Sequence, residues 1–232
     1  SRPTLPNWNA YLQTIDPKVK SVMAGVDVES SRLQHTWDTQ YTGAPTNRVR
    51  NYVRLSELDE SDLDWFEGRT DLTLTPEHHA DHGLPRHLEI TPALMKLLGF
   101  YLADGSGSAR GGIRLAIGKR NEALVDEMND AFETVFGRPA SFYASSDPDR
   151  AGELKLVNRV AALVWAHLFG FDGDTASTKS IPDLVYTVDA PMQKAFLRGY
   201  LLGDGTVSDR KVAFTTTSRD LASGLVYLLS SF

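Results

Sequence analysis

The sequence predicts an α+β fold made of two tandem repeats about a pseudo-two-fold axis. The second repeat is incomplete, and a mainly helical N-terminal region precedes both. Three observations carry this reading. The stretch Leu97-Leu98-Gly99-Phe100-Tyr101-Leu102-Ala103-Asp104-Gly105 returns as Leu197-Arg198-Gly199-Tyr200-Leu201-Leu202-Gly203-Asp204-Gly205, in register 100 residues on. A repeat in register pairs the chemistry of one unit with that of the other. Helical and strand-like hydropathy patterns alternate from residue 88 onward. The 232 residues are 41% hydrophobic and 23% charged, which is enough for a substantial core.

The elements follow in order. In residues 1–88, helices are expected near 7–12, across 17–28, across 48–55 and from a capping box at Ser56 to about Phe66. This region is either a small DNA-binding module or a connecting subdomain. His78, His79, His82 and His87 read as a solvated loop, because Pro76, Gly83 and Pro85 break any helix that would align them. Thr91 as N-cap and Pro92 as first helical residue open a helix through Asp104, which Gly105 is placed to end. In residues 112–117, Ile113, Leu115 and Ile117 alternate with Arg114 and Ala116, as in a half-buried strand. A helix over 121–136 follows, then a hairpin of 141–145 with 153–157, then a helix over 159–169 closed by Gly170. A loop containing Lys179 leads to the second motif helix at 191–204, a strand around 212–216 and a last helix over 219–232. The expected domains are therefore 1–88, a first repeat at 89–189 and a partial second repeat at 190–232. Because the second repeat reaches only its second helix, the chain reads as a fragment of a longer protein.

Composition narrows the chemistry. No run approaches the roughly 18 apolar residues of a membrane span, so no membrane partner is expected. With no cysteine, disulfides and thiolate metal sites are excluded. The net charge is −6, with 20 Asp and 10 Glu against 16 Arg and 8 Lys, a balance that suits a salt-adapted microbe; the expected location is the cytoplasm, in association with DNA. An acidic total argues against nucleic-acid binding, but its distribution does not. Each Asp-Gly is followed by a basic segment, with Arg110, Arg114, Lys119 and Arg120 after the first and Arg210, Lys211 and Arg219 after the second.

The repeated helices suggest a site. Gly99 with Ala103, and Gly199 with Gly203, place small residues one helical turn apart, a spacing that lets two backbones approach closely. A glycine inside a helix costs about 1 kcal/mol relative to alanine, so a close contact must offset it. Pairing of the two helices would set Asp104 beside Asp204, each at the negative end of a helix dipole. A divalent cation relieves both repulsions, and carboxylates, carbonyls and water suit Mg²⁺. Such a site can activate water for phosphodiester hydrolysis.

On these residues, the chain over about 88–232 resembles the LAGLIDADG homing endonucleases, in particular the dodecapeptide class found within inteins. The resemblance implies that strands after each motif helix sit in the DNA major groove, with Asp104 and Asp204 as catalytic, metal-binding acids. It also implies that Lys179, in Lys-x-x-Pro, is the intermotif lysine, acting at the phosphate or on water. Arg110, Arg114, Lys155, Arg210 and Lys211 are the DNA-binding candidates from the outward strand faces. Arg198 departs from the pattern, since that position is normally apolar. Thr75-Pro76-Glu77-His78 has the Thr-x-x-His spacing of intein splicing domains. The residues after Ser1 do not resemble an intein opening, and no His-Asn pair is present, so splicing by this chain alone is not expected.

The expected function is a monomeric, Mg²⁺-dependent, site-specific double-strand DNA endonuclease within an intein, with the host exteins as further partners. The alternative is a non-catalytic DNA- or RNA-binding protein of the same fold, such as a regulator or maturase.

Overall fold

Helix-forming and strand-forming segments segregate cleanly along residues 89–232. In the computed structural model, the described residues are 22–25, 52–54, 73–76, 84–85, 88–108, 111–147, 149–171, 175–208 and 211–232. The chain divides into two compact units, Arg2–Leu88 and Glu89–Phe232.

In the first unit the described elements are strands: β1 (Val22–Gly25), β2 (Tyr52–Arg54), β3 (Thr73–Pro76) and β4 (Leu84–Pro85). They form one antiparallel sheet in the order β2-β1-β3-β4. At 22–25 and 52–54 this corrects the expectation of helix; the rest of 17–28 and 48–55 lies outside the described residues. Val22, Tyr52 and Val53 are β-branched or aromatic, and such residues lose side-chain freedom in a helix but pack well on a pleated surface. The histidines at 78, 79, 82 and 87, and the expected helices at 7–12 and 56–66, lie outside the described residues.

The second unit opens with α1 (Pro92–Asp104), whose N-cap Thr91 accepts from the Leu94 amide at 3.2 Å. Leu94, Met95, Leu97, Leu98, Phe100, Tyr101 and Leu102 are all buried on it, so it is the central core element. Removing each such side chain from water contributes about 1.5–3 kcal/mol. The chain passes from α1 directly into β5 (Gly105–Ser108), and Gly105 is extended, at φ −95°. The glycine is therefore not a left-handed stop. Its role is steric, because a Cβ there would strike the Tyr101 ring and carbonyl.

β5 pairs antiparallel with β6 (Gly112–Ile117), and β6 with β8 (Gly152–Leu156), which also pairs with β7 (Ser141–Tyr143). The sheet order is β5-β6-β8-β7. Alternation assigns its two faces. Ile113, Leu115, Ile117, Leu154 and Leu156 are buried on the inner face, where α1, α2 (Leu124–Phe136) and α3 (Arg159–Leu168) pack. α2 ends at Gly137 with φ 66°, a left-handed cap. It begins later than expected, because Lys119–Asn121 forms a 3₁₀ turn. Trp165 of α3 sits among Tyr101, Phe136, Phe169 and Phe171, with ring centroids 5.2–5.9 Å from its own.

A short helix not expected from the sequence, α4 (Asp183–Thr187), precedes α5 (Ala190–Asp204). Asp189 caps α5 by accepting from the Met192 amide at 3.2 Å. β9 (Gly205–Ser208) and β10 (Lys211–Phe214) follow as an antiparallel pair, then α6 (Arg219–Leu229). Among the described residues, no helix is long and apolar enough to cross a membrane.

Candidate active site at the paired motif helices

α1 and α5 pack along their small-residue faces. A Cβ on Gly99 would collide with the Phe196 carbonyl and the Tyr200 amide. A Cβ on Gly199 would collide with the Lys96 carbonyl. The contacts are reciprocal, residue 99 against the backbone of 196 and residue 199 against that of 96. Reciprocity of this kind is what a two-fold axis between like surfaces requires. One turn further on, a Cβ on Gly203 would overlap the Ala103 methyl and lie 3.1 Å from Asp104 Oδ2. Close backbone approach thus delivers Asp104 to the second helix at the point where Asp204 ends it.

Electrostatics follow from that placement. The Asp104 carboxyl is raised above the usual range, first by burial and then by the Asp204 charge, while Lys179 opposes the rise. Asp204 is raised by burial, and Lys179 again opposes. Tyr200 is pushed up to about 12, by burial and then by Asp204. Its hydroxyl donates to the Thr215 carbonyl at 2.9 Å, which ties the end of the second hairpin to α5.

Lys179 occupies the centre of this arrangement. Its Nζ donates to the carbonyls of Tyr101, Leu102 and Gly105, each at 3.0 Å. The ammonium also lies 5.4 Å from the Tyr101 ring centroid. It therefore caps the open carbonyls at the C-terminus of α1, where a cation is favoured by the helix dipole. The residue is only 8% exposed.

As for a metal, no group of three or more His, Asp or Glu among the described residues could hold one. Two carboxylates remain, Asp104 at the surface and Asp204 half-buried, and partial desolvation works against the charge on both. This donor set fits a hard cation that keeps waters and takes phosphate oxygens for its other ligands. The nearby carbonyls that bind Lys179 are already engaged.

Residues 191–232 match the model of the LAGLIDADG-like domain family. That match spans the second motif helix and everything after it. The chain is also 27% identical over 196 residues to a DNA polymerase of Thermococcus hydrothermalis, covering 80% of this chain and 10% of that protein. It is 30% identical over 151 residues to a DNA polymerase of Thermococcus litoralis, covering 62% and 8%. Against the replication factor C small subunit of Methanocaldococcus jannaschii, identity is 24% over 133 residues, covering 53% and 7%. The chain thus spans a tenth or less of the length of these relatives. Its α+β architecture, helices with antiparallel sheets, is consistent with a LAGLIDADG fold.

Of the other sequence-expected residues, Arg114 and Lys155 lie on the sheet face opposite the buried Ile113, Leu115, Leu154 and Leu156. Arg114 and Lys155 are direct partners on β6 and β8, and the register extends their row to Ser106 on β5 and Ser141 on β7. The next row holds Ala116, Glu153 and Tyr143. Lys211 is exposed on β10 opposite Ser208. Arg110 and Arg210 lie outside the described residues. Arg198 faces outward, 67% exposed, with Nη2 3.6 Å from Glu127 Oε1, the same oxygen that Lys96 Nζ approaches at 2.6 Å. Sequence reasoning missed Glu127, which bridges both motif helices from α2, and Ser218. A serine ahead of a helix signals only an N-cap.

Proposed function

We propose that this chain is the DNA-cleaving region of a homing endonuclease carried within an intein. It would cut both strands of a specific DNA site with one aspartate from each repeat. The observation that carries the reading is the packing of α1 on α5, backbone against backbone, which brings the carboxylates of Asp104 and Asp204 close enough to interact. A structural role alone gives no reason to keep two carboxylates where partial desolvation and mutual repulsion work against their charge. The relatives support an inserted element. DNA polymerase and replication factor C small subunit are different proteins, yet the chain matches a tenth or less of each.

In this reading Asp104 and Asp204 hold a divalent cation, Mg²⁺ being the natural candidate for an oxygen-only set. When bound, it supplies positive charge against the phosphate and lowers the pKa of water. Asp104 and Asp204 fix where that charge sits, and Lys179 keeps the end of α1 in place and adds a cation to the site. Arg114 and Lys155 present donors on the open sheet face, to phosphates or base edges. The host protein would supply the exteins.

The test is cleavage of a randomised double-stranded DNA library in Mg²⁺ and in EDTA. The chain, and Asp104→Asn and Asp204→Asn forms of it, are compared. Metal-dependent cuts at one site, lost in both variants, are expected. Cleavage that survives both substitutions would sink the assignment, and specific binding without cleavage would favour a regulator or maturase.

A further inference from the structure

The Lys179 side chain is long and flexible, so a defined position for its ammonium requires that its main chain be held. The hold comes from the second repeat. Ser218 Oγ donates to the Lys179 carbonyl at 2.6 Å, and the same oxygen accepts from the Leu221 amide at 3.2 Å. Ser218 is 2% exposed, and the neighbouring Thr217 hydroxyl donates to the Ala176 carbonyl at 3.0 Å. Within the loop, the Thr178 and Lys179 amides both donate to the Thr175 carbonyl. The first turn of α6 therefore grips the loop whose lysine grips the last turn of α1.

We propose that Ser218 is a positioning residue: its hydroxyl fixes the Lys179 main chain, the ammonium then locks the carbonyls at the end of α1, and Asp104 is thereby held in place against α5. The proposal rests on Asp104 and Asp204 being the cleaving acids, and it makes α6 of the second repeat a support for the acid of the first. A simple helix cap would need only the bond to the Leu221 amide. The donated bond to Lys179 is what the cap does not explain.

The test uses Ser218→Gly, because glycine starts a helix almost as well as serine, with Ser218→Thr as the conservative form. In the chain labelled with ¹⁵N-lysine, the hydrogen-bonded Lys179 ammonium should give a slowly exchanging NMR signal. That signal is expected to be lost in Ser218→Gly and restored in Ser218→Thr. In cleavage assays, Ser218→Gly should lower kcat by about tenfold, as loss of a supporting contact around a metal site does, with KM for DNA unchanged. The Ser218→Gly/Lys179→Met double variant should be no slower than Lys179→Met alone, since the two act in series. An unchanged ammonium signal in Ser218→Gly, or losses that multiply in the double variant, would overturn the proposal. If the signal responds as expected but no form cuts DNA, the coupling stands and the cleavage reading fails.

Discussion

Asp104 Oδ2 lies 3.1 Å from the place a Cβ would take on Gly203, so the acid of one repeat rests on the bare backbone of the other. A methyl at residue 203 would meet both Ala103 and this carboxylate. Gly203→Ala is expected to destabilise the chain by about 1–3 kcal/mol, the usual cost of overpacking, although alanine is the better helix former. Gly99→Ala and Gly199→Ala meet backbone oxygens, which cannot rotate away. They should cost about 3 kcal/mol or more. Thermal unfolding of the three variants would show the ranking, and a Gly203→Ala cost equal to the others would contradict it.

The raised carboxyls give stability a pH slope. Above 3.8, the ordinary value for Asp104 and Asp204, the folded state holds more protons at these groups than the unfolded chain does. Their contribution is fully present below that value and is lost as pH rises through the raised folded values. In EDTA, Asp104→Asn and Asp204→Asn should therefore flatten the fall in Tm between acid and neutral pH. At neutral pH both should unfold no earlier than the parent. Adding Mg²⁺ should raise the parent Tm and leave the variants unmoved. A parent Tm that climbs toward neutrality in EDTA, with the climb removed by Asp104→Asn, would reverse the sign argued here.

Arg198 stands where the first motif has the fully buried Leu98, yet it points to solvent. Its ion pair with Glu127 is exposed, and such pairs contribute about 0–1 kcal/mol. Arg198→Leu should change stability by no more than about 0.5 kcal/mol. Chemical denaturation would check this, and a large loss would mean that the guanidinium holds α2 against α5.

Arg114 and Lys155 are cross-strand neighbours on one open face. If that face tracks DNA, Arg114→Ala and Lys155→Ala should each weaken binding. A phosphate contact should also reduce the slope of log K against log salt by about 1. Binding titrations over a salt series separate the roles, because a base-reading residue would instead relax sequence preference.

Much of this arrangement was legible in the sequence because the signals were local and redundant. Thr91 and Pro92 mark the start of α1, and alternation in 112–117 separates the buried Ile113, Leu115 and Ile117 from Arg114. The small residues at 99, 103, 199 and 203 announce a close contact, and the repeat names its partner. Other features left no comparable trace. The strands at Val22–Gly25 and Tyr52–Arg54 are too short for their period to be told from a helix turn. α4 spans five residues and opens behind Pro182, so it has no second turn to reveal it. The partners of Lys179 are main-chain carbonyls, which every residue has and no sequence distinguishes. The bond from Ser218 to Lys179 spans 39 positions, and no periodicity connects them.

The two motif helices, alike in sequence, differ in how they are enclosed. Eight residues of α1 are buried, from Leu94 to Leu102, whereas on α5 only Phe196, Gly199 and Tyr200 are. Burial of this kind sets the free energy of local opening. Amide hydrogens of α1 should exchange only when the whole unit unfolds, while those of α5 should exchange earlier, as that helix peels away with its aspartate. The two acids then differ in lifetime: one is a permanent feature of the folded unit, and the other joins it only while α5 stays docked.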